Sequence, residues 1–273
     1  MSVRTELAKR FSGCAETLFP RNQSSALNEA YVRGRAEGAR YSVWELAVSY
    51  ALILSVNWTS GPIREWLFWA AVAWIGGSAG VALTRTRSVQ FRVTELRNSL
   101  WIVGAALMLA IPMVAIAAEM QTLQQPYGPM GCTEAFAGYA VWAIAQQWLL
   151  QGYFFPRLRD VTGNENWAAA IVACLFAIAH LPNVILAVMA LFWGLTASYL
   201  FLRFRSIVTL GFAHAVLGIA VAISIPGPVL HNMRVGIAYL DYRVPAELRD
   251  VSRMTNGAWH SQSRAAAGNS AYR

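Results

Sequence analysis

Charged residues are scarce in this sequence: they make up 13% of the chain, whereas 56% of its residues are hydrophobic. A soluble globular domain carries roughly a quarter charged residues, so the composition argues against one. The shortage is concentrated in long uncharged runs, which is typical of a protein that crosses the membrane several times. The length allows about seven spans with short loops, and this leaves no room for a soluble catalytic domain.

Lysine is almost absent, since Lys9 is the single one, and the net charge of +8 comes from arginines. The arginines lie at the ends of the apolar runs, where membrane topology places them. The charge therefore needs no nucleic-acid partner to explain it. Cysteine is also rare, and Cys14, Cys132 and Cys174 have neither CxxC nor metal-binding spacing. We expect no metal and no cofactor.

The N-terminus lacks the apolar stretch of a cleavable signal peptide. Residues 1–40 mix charged and small polar residues, and we interpret them as a polar cytoplasmic segment. A transmembrane domain is predicted at 41–226 and a polar tail at 227–273. With the N-terminus inside, Arg64 is the one arginine in an outer loop. We therefore expect an integral membrane protein of the bacterial inner (cell) membrane with a cytoplasmic N-terminus.

The predicted fold class is all-α, a multi-pass transmembrane bundle of about seven to eight helices. The predicted spans are 41–58, 66–83, 100–118, 135–155, 167–180, 184–202 and 207–225. An odd number of spans would leave the arginines of the tail outside, against the positive-inside rule. A re-entrant segment, or a further hydrophobic piece near 229–240, would return the tail to the inside. The number of spans stays open at this point.

Polar side chains interrupt three of the apolar runs, at Gln146, Gln147, Gln151, His180 and His214. Polar groups are costly to bury in lipid and often mark a functional site. From the rise of about 1.5 Å per residue, we place all three runs' polar residues within the hydrocarbon core. A single polar residue of this kind more often forms a hydrogen bond to a neighbouring helix, which stabilises packing by about 1 kcal/mol. Their convergence from three spans favours a common binding or catalytic pocket.

The order of these residues along successive spans resembles the CPBP family, over about residues 98–226. The family comprises type II CAAX prenyl endopeptidases and bacteriocin-processing or self-immunity proteins. Its first motif is EExxxR, usually followed by glycine and an aromatic residue. Here Gln146, Gln147 and Gln151 occupy the two Glu positions and the Arg position, and the Gly-Tyr pair at 152–153 follows. The first motif is therefore present in an uncharged form.

The second and third motifs of the family are closer to its pattern. FxxxH is intact at Phe176 and His180, and the Leu-Pro-Asn that ends at Asn183 also resembles the family. The third motif has a histidine followed four residues later by Asn or Asp. Here His214 is present, but Gly218 stands at the second position. FxxxH alone is weak evidence, whereas the ordered set on successive spans is more specific.

The resemblance implies roles for these residues. In the family a glutamate is thought to activate water while histidines stabilise the oxyanion. Carried over, it implies that His180, His214 and Gln147 are the catalytic set, and it implies substrate contacts from Gln146, Gln151, Phe176 and Asn183. Glutamine cannot take up a proton at neutral pH, so positions 146 and 147 offer no general base. The absence of arginine at 151 is consistent with this, because a buried guanidinium would lack a counter-charge.

Four other acidic residues near the spans are weak replacements for that base. Glu119 and Glu134 are expected to be interfacial loop charges. Glu45 is expected to reach the interface or to pair with Arg40. Asp160 is expected at the inner surface beside the arginine that precedes it.

Two functions stay open. The first is an intramembrane endopeptidase that hydrolyses a peptide bond at the membrane. The second is a catalytically impaired family member that binds a peptide, a lipidated protein or a partner in the same pocket. The missing base favours the second, and the family resemblance by itself favours the first. A small transporter is a less favoured class, because no pair of broken spans is visible.

Overall fold

The computed structural model describes residues 42–86, 93–124 and 128–243. Every regular element within these ranges is helical, so the predicted all-α class is confirmed. The helices are α1 Ser42–Asn57, α2 Gly61–Thr86, α3 Val93–Ser99, α4 Trp101–Glu119, α5 Gly128–Gln147, a π-helix Trp148–Phe154, α6 Phe155–Thr162, α7 Glu165–Ile178, α8 Val184–Phe204, α9 Ile207–Ser224, α10 Gly227–Leu230, a 3-10 turn His231–Met233 and α11 Ile237–Leu240. The predicted segment 1–40 and the end of the tail lie outside the described residues.

Three helical stretches in the described ranges are long and apolar enough to cross a membrane: Leu96–Glu119, α8 and α9. Helices α1 and α7 are apolar but shorter. Large hydrophobic side chains lie on the outer surface of the bundle, with Trp66 78% and Met108 73% exposed. Exposed apolar surface of this kind suits contact with lipid. The chain is an integral membrane protein.

The segment that follows α9 does not form a further span within the described residues. Helices α10 and α11 are four residues long each, far too short to cross the bilayer. The backbone amide of Gly236 donates to the carbonyl of Leu181 at 2.9 Å, and Gly236 also lies against the backbone of Asn57. The segment therefore stays at the end of the bundle where α1 and α7 end.

Helix α9 packs between α4 and α5. Gly211 and Gly218 lie seven residues apart on one face of α9, and both face α5. A Cβ atom at Gly211 would come within 2.7 Å of the Cα atom of Ile144. Small residues at such positions let two helix backbones approach closely. This approach brings the polar residues of α5 against those of α9.

Helices α7 and α8 pack through a similar seam of small residues. A Cβ atom at Gly194 would lie 3.1 Å from the Cα atom of Ala173, and Ala168 and Ala169 are fully buried. Asn164 caps the start of α7 by accepting hydrogen bonds from two backbone amides, as N-cap residues typically do. The seam fixes where α7 ends, and His180 lies in the turn that follows.

A π-helix, Trp148–Phe154, separates α5 from α6. Such segments are rare and are often found at functional sites. This one contains most of the first motif, including Gln151 and Tyr153, which are 0% and 1% exposed. Because the wider turn changes which residues share a face, the α-helical spacing of four residues does not put Gln147 and Gln151 on one face here.

Glu45 forms an ion pair that was not predicted from the sequence. Arg40 lies outside the described residues, and the carboxylate of Glu45 pairs with the guanidinium of Arg157 at 2.9 Å. Arg157 also donates to the backbone carbonyl of Tyr153, and its guanidinium lies 3.8 Å above the Tyr153 ring. The ion pair ties α1 to α6 at the end of the bundle opposite Asn57. Sequence patterns do not reveal this pair, because its partners are 112 residues apart.

The hydroxyl of Tyr153 extends this polar network to α2. It lies 2.8 Å from the hydroxyls of both Ser49 and Ser78. The indole of Trp74 donates to Ser49 at 3.1 Å. Hydrogen bonds between spans of this kind contribute about 0.6 kcal/mol each on average. Together with the ion pair, they hold α1 and α2 against the π-helix.

The α5–α9 contact predicts opposite effects for two glycine substitutions. We expect Gly211→Ala to destabilise the fold by about 1–3 kcal/mol through overpacking against Ile144. Gly104→Ala is the matched control, because a Cβ atom there meets nothing within 4 Å. It should leave stability unchanged or raise it by up to about 1 kcal/mol through helix propensity. Thermal unfolding of the two variants in the same detergent measures this, and equal melting temperatures would contradict the close contact.

Candidate functional site

The structure brings Gln147 of α5 and His214 of α9 into contact. The amide nitrogen Nε2 of Gln147 lies 3.4 Å from Nδ1 of His214. Gln147 is completely buried, and His214 is 9% exposed. With the amide as donor, Nδ1 is the acceptor and the neutral ring carries its proton on Nε2. The carbonyl oxygen Oε1 of Gln147 is buried and has no partner among the described residues.

The second motif places its phenyl ring between the two imidazoles. Phe176 makes edge-to-face contacts with His180 and with His214, at centroid distances of 4.6 and 5.7 Å. Nδ1 of His180 donates to the backbone carbonyl of Phe176 at 2.6 Å. A carbonyl oxygen can only accept, so Nε2 of the neutral His180 ring is an acceptor. The two histidines therefore offer complementary groups, a lone pair on His180 and an N–H on His214.

Gln151 faces α8 rather than His214. Its amide nitrogen donates to the hydroxyl of Ser198 at 3.1 Å, and that hydroxyl donates to the carbonyl of Gly194 at 2.8 Å. Its carbonyl oxygen is buried without a partner in the described part of the chain. Gln146 is half-buried, and its side chain makes no hydrogen bond to the described residues. Gln147 is thus the glutamine that contacts a histidine.

Asn183, predicted as a substrate contact, uses its whole side-chain amide within the fold. Its carbonyl oxygen caps α8 by accepting from the amide of Leu186. Its amide nitrogen donates to the carbonyl of Leu230 at 2.8 Å and to that of Arg234 at 3.2 Å. These contacts favour a structural role, in which Asn183 fastens the segment after α9 to the turn that follows His180.

Two aromatic residues beside His214 were not assigned to the site from the sequence. The rings of Tyr139 and Trp193 have centroids 6.4 and 5.8 Å from that of His214. The indole Nε1 of Trp193 is buried without a partner in the described residues. Tyr139 lies eight residues before Gln147, which is about 80° round an ideal helix. The spacing therefore did not single out Tyr139.

No carboxylate contacts either imidazole within the described part of the chain. Glu45 is engaged by Arg157 at one end of the bundle, and Glu119 and Glu134 are exposed. Over the same residues, no three His, Cys, Asp or Glu side chains come together in a way that could hold a metal ion. The polar groups around His214 are therefore neutral amides, rings and hydroxyls.

Residues 129–220 match the model of the family described as Rce1-like, type II CAAX prenyl endopeptidase Rce1-like. The predicted resemblance to the CPBP family is confirmed. The Rce1-like segment runs from α5 to α9 and contains Gln147, Phe176, His180 and His214. The chain is thus a membrane protein similar to CAAX proteases. No curated protein and no solved structure gives a significant match.

The hydrogen-bond pattern predicts different stability effects for two buried amides of the Rce1-like segment. Gln151→Leu removes an unpaired carbonyl oxygen, and Ser198 keeps its bond to Gly194, so we expect stability to be unchanged or higher. Asn183→Leu removes three hydrogen bonds and leaves their backbone partners unpaired, so we expect a loss of about 3 kcal/mol. Thermal unfolding in detergent measures both variants. A strong destabilisation by Gln151→Leu would show that its carbonyl oxygen has a partner after all.

Proposed function

We propose that this protein binds a peptide or a lipidated protein segment in the intramembrane pocket around His214, without hydrolysing it at the rate of a CAAX protease. The observation that carries the proposal is the contact between the Gln147 amide and Nδ1 of His214. An amide at the position of the expected glutamate can orient a water or bind a ligand, but it cannot take a proton from water. A positioned general base typically contributes 10²–10⁴-fold to a rate.

Unpaired polar atoms support binding at this place. The carbonyl oxygen of Gln147 and the indole nitrogen of Trp193 are buried without partners in the described ranges. An unpaired buried polar group costs about 1–3 kcal/mol. A ligand that supplies the missing partners would recover that free energy. A peptide segment carries both donors and acceptors and is suited to do so.

A second candidate function is intramembrane endopeptidase activity, and the two histidines favour it. Both lie against Phe176, and the N–H of His214 is free to donate to a developing oxyanion. Preorganised donors of this kind contribute about 10²–10³-fold each. Water held by Gln147 would be the nucleophile, and the neutral His180 ring has a lone pair on Nε2. The Rce1-like match gives this candidate its substrate class, a peptide or prenylated protein.

We further propose that the protein lies in the bacterial inner membrane with its N-terminus in the cytoplasm. The basic residues between the predicted spans support this orientation. Arg157, Arg159, Arg203 and Arg205 then lie at the cytoplasmic end. The ion pair of Glu45 with Arg157 supports a start of α1 at that same end.

The proposed binding function predicts that the wild-type protein binds a prenylated peptide but does not cleave it. The probe is a farnesylated peptide that ends in a CAAX sequence, with the protein in lipid nanodiscs. We expect Gln147→Glu to introduce the missing base and to start cleavage, while Glu134→Gln, at an exposed position, serves as the control. Mass spectrometry of the peptide detects hydrolysis, and fluorescence anisotropy of a labelled peptide measures binding.

The outcomes separate the two candidates. Cleavage by the wild type that is lost in both His180→Ala and His214→Ala would establish the endopeptidase and reject the non-catalytic proposal. Absence of binding by the wild type, in an otherwise folded preparation, would reject the binding proposal. Binding without cleavage, together with cleavage by Gln147→Glu, is the result that we expect.

The orientation predicts that the two ends of the described chain lie on opposite sides of the membrane. Residue 243 follows a segment that contacts Asn57, whereas the start of α1 pairs with Arg157 at the other end. A reporter active only in the cytoplasm should be active when fused to the N-terminus of the full chain and inactive when inserted after Arg243. Activity at both positions would reject the proposed topology.

A further inference from the structure

Tyr139 reaches from α5 across to α9 and lies against Gly218. A Cβ atom at Gly218 would overlap the Tyr139 hydroxyl and would lie 2.6 Å from the ring atoms Cε1 and Cζ. The Tyr139 ring meets the His214 imidazole edge to face at an interplanar angle of 80°. The hydroxyl therefore lies where a side chain at position 218 would begin, next to the histidine of the site.

This position is the one at which the sequence departs from its motif. Gly218 stands where HxxxN or HxxxD would put a polar side chain beside His214. The absence of a side chain makes room for Tyr139, whose hydroxyl brings a polar group to the same space. That hydroxyl makes no hydrogen bond within the described ranges. A hydroxyl held at membrane depth without a partner is available to a ligand.

Trp193 offers a second unused donor beside His214. Its ring lies 5.8 Å from the imidazole centroid, and its indole nitrogen is buried without a partner in the described part of the chain. An indole N–H can only donate. With the Gln147 amide donating to Nδ1, the proton of His214 is on Nε2, which is then a further donor. The two further donors, Tyr139 and Trp193, thus belong to rings that both contact the His214 imidazole.

We propose that Tyr139 takes over the role of the missing side chain at 218 and, with Trp193, donates to a backbone carbonyl oxygen of the bound peptide. The inference rests on the proposed function, because it names the group of the ligand that the His214 pocket recognises. A carbonyl oxygen has two lone pairs and accepts from two donors. A free amine or a metal ion would find donors where it needs acceptors, so this side of the pocket selects against both.

The test compares two tyrosines on the farnesylated CAAX peptide in nanodiscs. Tyr139→Phe removes only the hydroxyl, and because that hydroxyl holds nothing in the fold, the variant should fold normally. We expect it to weaken binding by about three-fold to ten-fold, the equivalent of one hydrogen bond. Tyr199→Phe, at a tyrosine of α8 that is 46% exposed, is the control and should bind as the wild type does. Trp193→Phe should weaken binding by a similar factor.

Modified peptides identify the recognised group. Replacing one backbone carbonyl at a time by a methylene should reveal one position at which the wild type loses more affinity than Tyr139→Phe does, because the variant has only the bond from Trp193 left to lose there. Equal binding by the wild type and Tyr139→Phe would overturn the inference while leaving the proposed function intact. Failure of the wild type to bind the peptide would overturn both.

A second set of variants tests whether a polar side chain at position 218 can replace the hydroxyl of Tyr139. Gly218→Asn alone should lose binding, because the new side chain overlaps Tyr139. Tyr139→Leu alone should also bind more weakly, because it lacks the hydroxyl. In the double variant Tyr139→Leu/Gly218→Asn, the asparagine occupies the vacated space, and we expect affinity to return to within about two-fold to three-fold of wild type. A double variant as weak as the two losses combined would show that the residues do not share one role.

Discussion

The close approach of α5 and α9 is the constraint on which the rest of the site depends. Gly211 allows the two backbones to meet, since a single added Cβ atom there would come within 2.7 Å of the Cα atom of Ile144. Two turns farther along, Gly218 leaves room for the Tyr139 side chain of α5. His214 lies between these glycines and so faces α5 at short range. Without this approach the amide of Gln147 and the imidazole of His214 would be separated by a layer of apolar side chains, as in an ordinary helix pair.

Neutrality is the second property of the site, and it is consistent at every position described. A carboxylate at 146 or 147 would need a counter-charge in a medium of low dielectric constant, and an arginine at 151 would be its natural partner. Amides at all three positions remove the need for both charges. Arg157 and Glu45, which are charged, pair with each other at one end of the bundle. The centre is left polar but uncharged.

Much of the fold follows from the sequence, because apolar runs bounded by arginines specify where helices cross lipid. The predicted spans at 100–118, 184–202 and 207–225 agree with α4, α8 and α9 to within a few residues. The further hydrophobic piece near 229–240 was wrong as a span. Glycines at 227 and 236 and the proline at 228 break it into single turns that dock on Asn57 and Leu181.

The site was less predictable than the fold. Depth along each span was sufficient to suggest that Gln147 and His214 lie near each other, and the motif spacing put Phe176 and His180 on one face. The π-helix, the pairing of Glu45 with Arg157 and the place of Tyr139 depend on contacts between distant parts of the chain. Hydropathy and spacing carry no information on such contacts. Asn183 shows the opposite case, in which a residue of motif-like position serves to cap a helix.

The π-helix has a geometric consequence for the two polar regions on either side of it. A π turn holds an additional residue compared with an α turn, and one residue corresponds to about 100° of rotation around the axis. The angular phase of α6 relative to α5 is therefore set by this one local irregularity. The π-helix thus fixes the angle, around the helix axis, between the face that carries Gln147 and the face that carries Arg157. The number of residues between Gln147 and Arg157 therefore determines how the side chain inside the bundle is oriented relative to the one at its end.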